Sequence, residues 1–224
     1  DESGNFSIDF IAEKGEESLL RAYFTYTIEA SLTDSKGETQ TGSASIRIGD
    51  RSMLLNFAGF SPLMLKETLP TLRINALNLS MNPIKTSGDY KVYQLTSDGI
   101  NDSKSEDGYD LETYELGKLV SQATFTAGEV LPAEMFKSLP SGAYLIKANA
   151  VDDQGRAVEA ETRFIIGSKS DKKPPVPVRL WCLTPKTTCE VGEKGEIIFG
   201  SSMKNVSVLY QLFQDGKQIA ASRF

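Results

Sequence analysis

"YLIKANAVDDQGRAVEAETRFIIG" (residues 144–167) decides how this chain is read, because "YTIEASLTDSKGETQTGSASIRIG" (residues 26–49) says nearly the same thing 118 positions earlier. Laid over one another without a gap, seven of the 24 columns are identical: Tyr26/Tyr144, Ile28/Ile146, Ala30/Ala148, Asp34/Asp152, Gly37/Gly155, Ile48/Ile166 and Gly49/Gly167. Ile46/Phe164 and Leu32/Ala150 keep apolar character. The matched apolar positions are spaced by two, the period of a strand with one buried face. Between them stands D-x-x-G, a turn pattern whose glycine can take the positive φ that a tight connection demands. Each copy therefore predicts a β-hairpin.

A second echo runs at a different offset: "VYQLTSDG" (residues 92–99) resembles "LYQLFQDG" (residues 209–216), 117 positions later. Together the two echoes predict a module of about 115–120 residues, a period that has to be found before any fold is assigned. On this reading residues 1–50 are the C-terminal half of one copy, 53–168 a complete copy, 169–178 a linker and 179–224 the N-terminal half of a further copy. Short alternating segments separated by turn residues predict an all-β chain of tandem antiparallel β-sandwiches. The expected strands are FSIDFIA, YFTYTIEASLT, GSASIRIG, TLRINALNL, DYKVYQLT, KLVSQATFT, GAYLIKANAV, AVEAETRFIIG, GEIIFGSS and SVLYQLFQDG. One helical turn is expected in "LPAEMFKSLP" (residues 131–140), where bracketing prolines stop it from growing. The proline-rich "SDKKPPVPV" (residues 170–178) reads as a stiff linker kept solvated by its lysines.

Composition narrows the function classes. Hydrophobic residues make up 40% and charged residues 24% of the 224, an ordinary globular balance with a packed core. A net charge of −6 disfavours nucleic-acid binding, which needs basic patches to neutralise phosphates. The chain contains no histidine, so Ser-His-Asp and Cys-His nucleophiles, HExxH zinc sites and imidazole proton shuttles have no residue to use. No apolar run reaches the roughly 18 residues of a membrane span, and the opening "DESGNFSIDF" lacks the basic and apolar regions of a signal peptide.

The remaining candidates each have two readings. Cys182 and Cys189 in "WCLTPKTTCEVGE" either close a short disulfide loop across Pro185 or are two small buried hydrophobes. The carboxylates Asp98, Asp102, Glu106, Asp107, Asp110, Glu112 and Glu115 in residues 97–115 are hard oxygen ligands of the kind calcium takes, but the D-x-[DN]-x-[DN]-G pattern is missing, and a solvated loop is the expected reading. The same loop, with Lys104 as its basic residue, is also readable as a protease-sensitive bait. Glu134 with Lys137, and Asp152 with Asp153, are nominal acid/base pairs, although aspartates in a turn ordinarily cap backbone N–H groups. Trp181 is either a sugar-stacking platform or core packing, and core is expected; Tyr26 and Tyr144, at matching repeat positions, are expected to be structural. No catalytic residue, cofactor or metal site is expected.

The cadence of "LPSGAYLIKANAVDDQGRAVEAETRFII", with "YTIEASLTDSKGETQTGSASIRIG" before it and "PVPVRLWCLTPKTTCEVGEKGEIIFGSSMKNVSVLYQL" after it, resembles the macroglobulin-like domains of the α2-macroglobulin family, especially its large bacterial surface or periplasmic members. The resemblance covers nearly the whole chain. It implies a non-catalytic segment of a long extracellular, cell-surface or periplasmic endopeptidase inhibitor that traps host or competitor proteases. The partners it implies are neighbouring domains of the same chain. Half a sandwich leaves open strand edges, so the cut modules at the two ends are expected either to dock on each other, within or between chains, or to show weak order. Many members carry a Cys-x-Glu-Gln thioester, but Cys182 is followed by "LTP" and Cys189 by "EVG", so no reactive residue carries over. The alternative class is an Ig-like or fibronectin-like spacer or interaction module of a bacterial surface adhesin or glycan-handling protein.

Overall fold

A computed structural model describes residues 7–11, 23–100, 110–186 and 188–223. The chain is all-β, with thirteen strands among the described residues: β1 (Phe24–Thr33), β2 (Thr39–Ile48), β3 (Met53–Ala58), β4 (Leu63–Leu65), β5 (Arg73–Asn78), β6 (Ser87–Thr96), β7 (Glu115–Thr126), β8 (Gly142–Val151), β9 (Ala157–Gly167), β10 (Trp181–Leu183), β11 (Ile198–Gly200), β12 (Leu209–Gln214) and β13 (Lys217–Arg223). A short helix, α1 (Ala133–Ser138), lies where the two prolines predict it, and a 3-10 turn at Lys66–Thr68 was not anticipated.

The central body is a β-sandwich. One layer is a five-stranded sheet of order β4-β9-β8-β6-β7, antiparallel except that β4 runs parallel to β9; the other contains the antiparallel pair β3-β5. Side chains alternate across a strand, so Tyr144, Ile146, Ala148 and Ala150 of β8 all point to one face. They meet Met53 and Leu55 of β3 and Ile74 and Ala76 of β5 in one buried cluster. α1 caps that cluster by inserting Phe136, whose ring lies edge-on to Phe60 at 5.7 Å, while Phe60 meets Phe164 at 5.5 Å.

The two repeated hairpins have the same register to the residue. β1 pairs with β2 from Phe24↔Ile48 to Thr33↔Thr39, and β8 pairs with β9 from Gly142↔Ile166 to Val151↔Ala157, each partner displaced by 118 positions. Their turns match bond for bond. Gly37 N–H donates to the Asp34 carbonyl at 3.1 Å and Gly155 N–H to the Asp152 carbonyl at 3.0 Å, with φ of +87° and +76° at the two glycines. In both, the aspartate Oδ1 accepts the backbone N–H groups two and four residues on, at 2.8–3.0 Å. The second echo diverges at its turn. Asp215 and Gly216, both at positive φ, close β12 onto β13 in two residues, whereas after Asp98-Gly99 the chain runs on to residue 115 before β7 begins. The acidic stretch is thus an insertion at a hairpin tip.

Two expectations need correction. Residues 7–11 of the expected strand FSIDFIA form no strand: their alternation is right, but no described neighbour pairs with them, and an unpaired ladder does not hold. The proline-rich segment is also more than a solvated spacer. Lys172 and Lys173 are exposed, but Val176 and Val178 are buried with Trp181 and Leu183 against Leu145 and Ile165, on the outer face of the five-stranded sheet. Ser202 Oγ accepts the Val178 N–H at 3.1 Å, and Asp171 accepts the Ser141 hydroxyl at 2.9 Å and the Ser168 N–H at 2.7 Å, fixing both ends of the segment. β8 is therefore buried on both faces at its first half, where the one-sided periodicity predicts only one.

Candidate functional site

A dense polar constellation surrounds Asp152, in the β8–β9 turn beside a shallow surface cleft lined by Ser52, Asn78, Lys85, Val151 and Asp153 among others. The Asp152 side chain is enclosed and ion-paired to Arg156, whose Nη2 lies 2.9 Å from Oδ2. Oδ2 also accepts the Arg156 Nε–H at 2.9 Å and the Ser52 backbone N–H at 3.2 Å, and Oδ1 accepts the N–H groups of Gln154 and Arg156. Next to it the Ser52 hydroxyl donates to Asp153, and Arg51 Nε–H donates to the Ala157 carbonyl at 2.8 Å. The desolvation of Asp152 opposes its ionisation, but the Arg156 N–H and guanidinium, with the N–H groups of Ser52 and Gln154, outweigh it and hold the carboxyl well below the usual carboxylate range.

That arrangement latches the segment entering β3 onto the β8–β9 turn. Asp152 is thereby committed to capping the turn and pairing with Arg156, the role that its place in a turn predicts. Because its folded pKa is depressed, Asp152 contributes stability that is fully present above its ordinary value of 3.8 and is lost as the pH falls through that value toward the folded one. Urea midpoints measured from pH 7 down to pH 2 are expected to fall below about pH 4. Asp152→Asn is expected to lower the neutral-pH midpoint and flatten this acid limb; an unchanged acid limb in the variant would assign the loss to other carboxylates.

The other sequence candidates separate cleanly. Trp181 is buried in the cluster on the outer sheet face, so it is core and not a sugar platform. Tyr144 is fully buried and its hydroxyl donates to the Pro140 carbonyl at 2.7 Å, whereas Tyr26 is half-exposed and in ring contact with Phe10 at 5.1 Å. Glu134 and Lys137 form a surface ion pair at 3.0 Å on α1. Cys182 and Cys189 are free, exposed thiols, neither the disulfide nor the buried pair that the sequence allows. Cys182 alternates outward between the buried Trp181 and Leu183 on β10, a strand too short for periodicity to reveal.

Of the acidic stretch, Asp102, Lys104, Glu106 and Asp107 lie outside the described residues. Its C-terminal part is not simply solvated. Leu111 and Tyr114 are buried in the outer-face cluster, Asp110 Oδ1 accepts the Glu112 N–H at 3.0 Å, and Glu112 pairs with Arg163 of β9. Among the described residues no group of three or more Cys, Asp or Glu is placed to hold a metal ion. No helix among them is long and apolar enough to cross a membrane. No protein-family model matches the chain, and no curated protein matches it.

Proposed function

We propose that this chain is a non-catalytic structural segment of an α2-macroglobulin-like endopeptidase inhibitor, one stretch of the wall that encloses a trapped protease. The observation that carries the reading is the repeated hairpin. Identical register and identical turn bonds 118 residues apart support a serial array of sandwich modules, and the residue cadence of those modules is the one that resembles macroglobulin-like domains. The packed junction at Val176, Val178 and Trp181 supports a wall-forming role, since a wall needs modules that hold their angles. The location consistent with this role is extracellular, at the cell surface or in the periplasm.

The same stiff junction also suits an Ig-like spacer of a surface adhesin or glycan-handling protein, so the test has to separate the two. A longer chain bearing this segment is incubated with a panel of endopeptidases, and each mixture is assayed on a large protein and on a small chromogenic peptide. A cage leaves the protease active site free but excludes bulky substrates. Loss of protein cleavage with retained peptide cleavage is the expected result; unchanged cleavage of both would reject the trap in favour of the spacer.

A further inference from the structure

The two feet of the acidic insertion and the β9–β10 junction share one apolar cluster. Leu95 near the end of β6, and Leu111 and Tyr114 just before β7, are buried in the same outer-face cluster as Val176, Val178 and Trp181, over Leu145 and Ile165 of the central sheet. Residues 110–114 and residues 176–180 belong to no strand, so neither segment is held on the sheet by a β-ladder. Residues 110–114 turn back on themselves: Asp110 Oδ1 accepts the Glu112 N–H at 3.0 Å, and the Tyr114 N–H donates to the Leu111 carbonyl at 3.2 Å. Glu112 ties this turn to Arg163 of β9, but the Glu112 side chain is 77% exposed, and solvent competes for a pair of that kind. Beneath it Arg163 Nε is buried with no hydrogen-bond partner among the described residues, which opposes the packing that buries it. An exposed ion pair over a buried, unpaired donor is a weak clasp on an apolar seat.

We propose that residues 110–114 are a detachable strap that keeps the junction seated: docked, Leu111 and Tyr114 complete the cluster that holds Val176, Val178 and Trp181, and release of the strap loosens the junction. Segments held by few backbone bonds open locally before the sandwich does, so the strap can leave while the sheet stays folded. Coupling between two docked segments is reciprocal, so loosening the junction frees the strap to the same degree. The strap thereby links the acidic insertion to the start of the downstream segment, although Tyr114 and Val176 stand 62 positions apart. A pull on the insertion is felt at Val178. The inference rests on the shared cluster alone and does not require protease trapping.

The test is native-state hydrogen exchange on the full 224-residue chain. At the junction the Val178 N–H donates to Ser202 Oγ and the Ser202 N–H to the Val178 carbonyl, so these two amides report whether the junction is seated, and neither is touched by truncating the strap's side chains. The variant Leu111→Ala/Tyr114→Ala is expected to speed exchange of both amides about tenfold. Glu112→Gln, a surface change that leaves every buried side chain in place, is expected to speed it about two- to threefold. Val158→Ala, as deeply buried but in the inner cluster, is the control and is expected to leave both rates unchanged. In the reverse direction, Val176→Ser is expected to speed exchange of the Tyr114 amide, which the docked strap bonds to the Leu111 carbonyl. Faster exchange in either strap variant with an unchanged control supports the strap. Unchanged rates at Val178 and Ser202 in both strap variants, or the same acceleration in Val158→Ala, would overturn it.

Discussion

Tyr144→Ala is expected to cost the central sandwich about 3–5 kcal/mol, the range for removing a large buried aromatic. The side chain is fully buried, and its ring stacks on Phe164 at 5.8 Å in the middle of the aromatic cluster that α1 closes. Truncation deletes those contacts and leaves a cavity between a five-stranded sheet and α1, neither of which collapses easily. Tyr144→Phe isolates the hydroxyl. It removes only the bond to the Pro140 carbonyl, on the exposed Pro140 where water can replace it, and is expected to cost about 0.5–1.5 kcal/mol. Urea denaturation of both variants against the parent checks the pair. Equal losses for alanine and phenylalanine would mean that the hydroxyl, not the ring, supports the position.

Gly88→Ala is the second large effect, expected at about 3 kcal/mol or more, the upper end of overpacking costs. A Cβ on Gly88 of β6 would lie 2.1 Å from the Asn149 carbonyl oxygen of β8 and 2.8 Å from Phe125 Cε1 of β7. The first obstacle is backbone in the middle of the sheet, so relief requires two central strands to part. Gly155→Ala is the control. It sits in the β8–β9 turn at positive φ with nothing within 4 Å of the added methyl, so its cost is confined to the left-handed backbone, about 1–2 kcal/mol. A Gly88→Ala loss no larger than that of Gly155→Ala would show that β6 and β8 can separate at that point without penalty.

The hairpin β8–β9 was legible to the residue because everything that defines it is local: alternation, an aspartate that caps its own turn and a glycine at positive φ. The strand β3 was not anticipated, since "MLLNFA" lacks a polar alternation and acquires its strand identity from pairing with β5. β4 is three residues long and exists through its parallel contact with β9, which no local pattern encodes. The burial of Val176, Val178, Leu111 and Tyr114 was hidden for the same reason. Proline-rich and acidic compositions describe a segment's solvation when it is alone, not the apolar sheet face that happens to receive it. The capping of backbone N–H groups by Asp152 was legible, since an aspartate in a turn has those donors nearby; its ion pair with Arg156 and its link to Ser52, 100 residues away in sequence, were not.

The packed junction between β9 and β10 also determines how load passes along the chain. A linker of solvated residues acts as a swivel: a pull or twist applied beyond Leu183 would be absorbed there and the sandwich would feel little of it. With Val176, Val178 and Trp181 seated on Leu145 and Ile165, the lever arm is welded to the face of the central sheet. A torque arriving from the downstream side must first shear an apolar contact sideways across β8 and β9. Load that reaches Trp181 and Leu183 is therefore passed to the face of the central sheet instead of being taken up in a swivel.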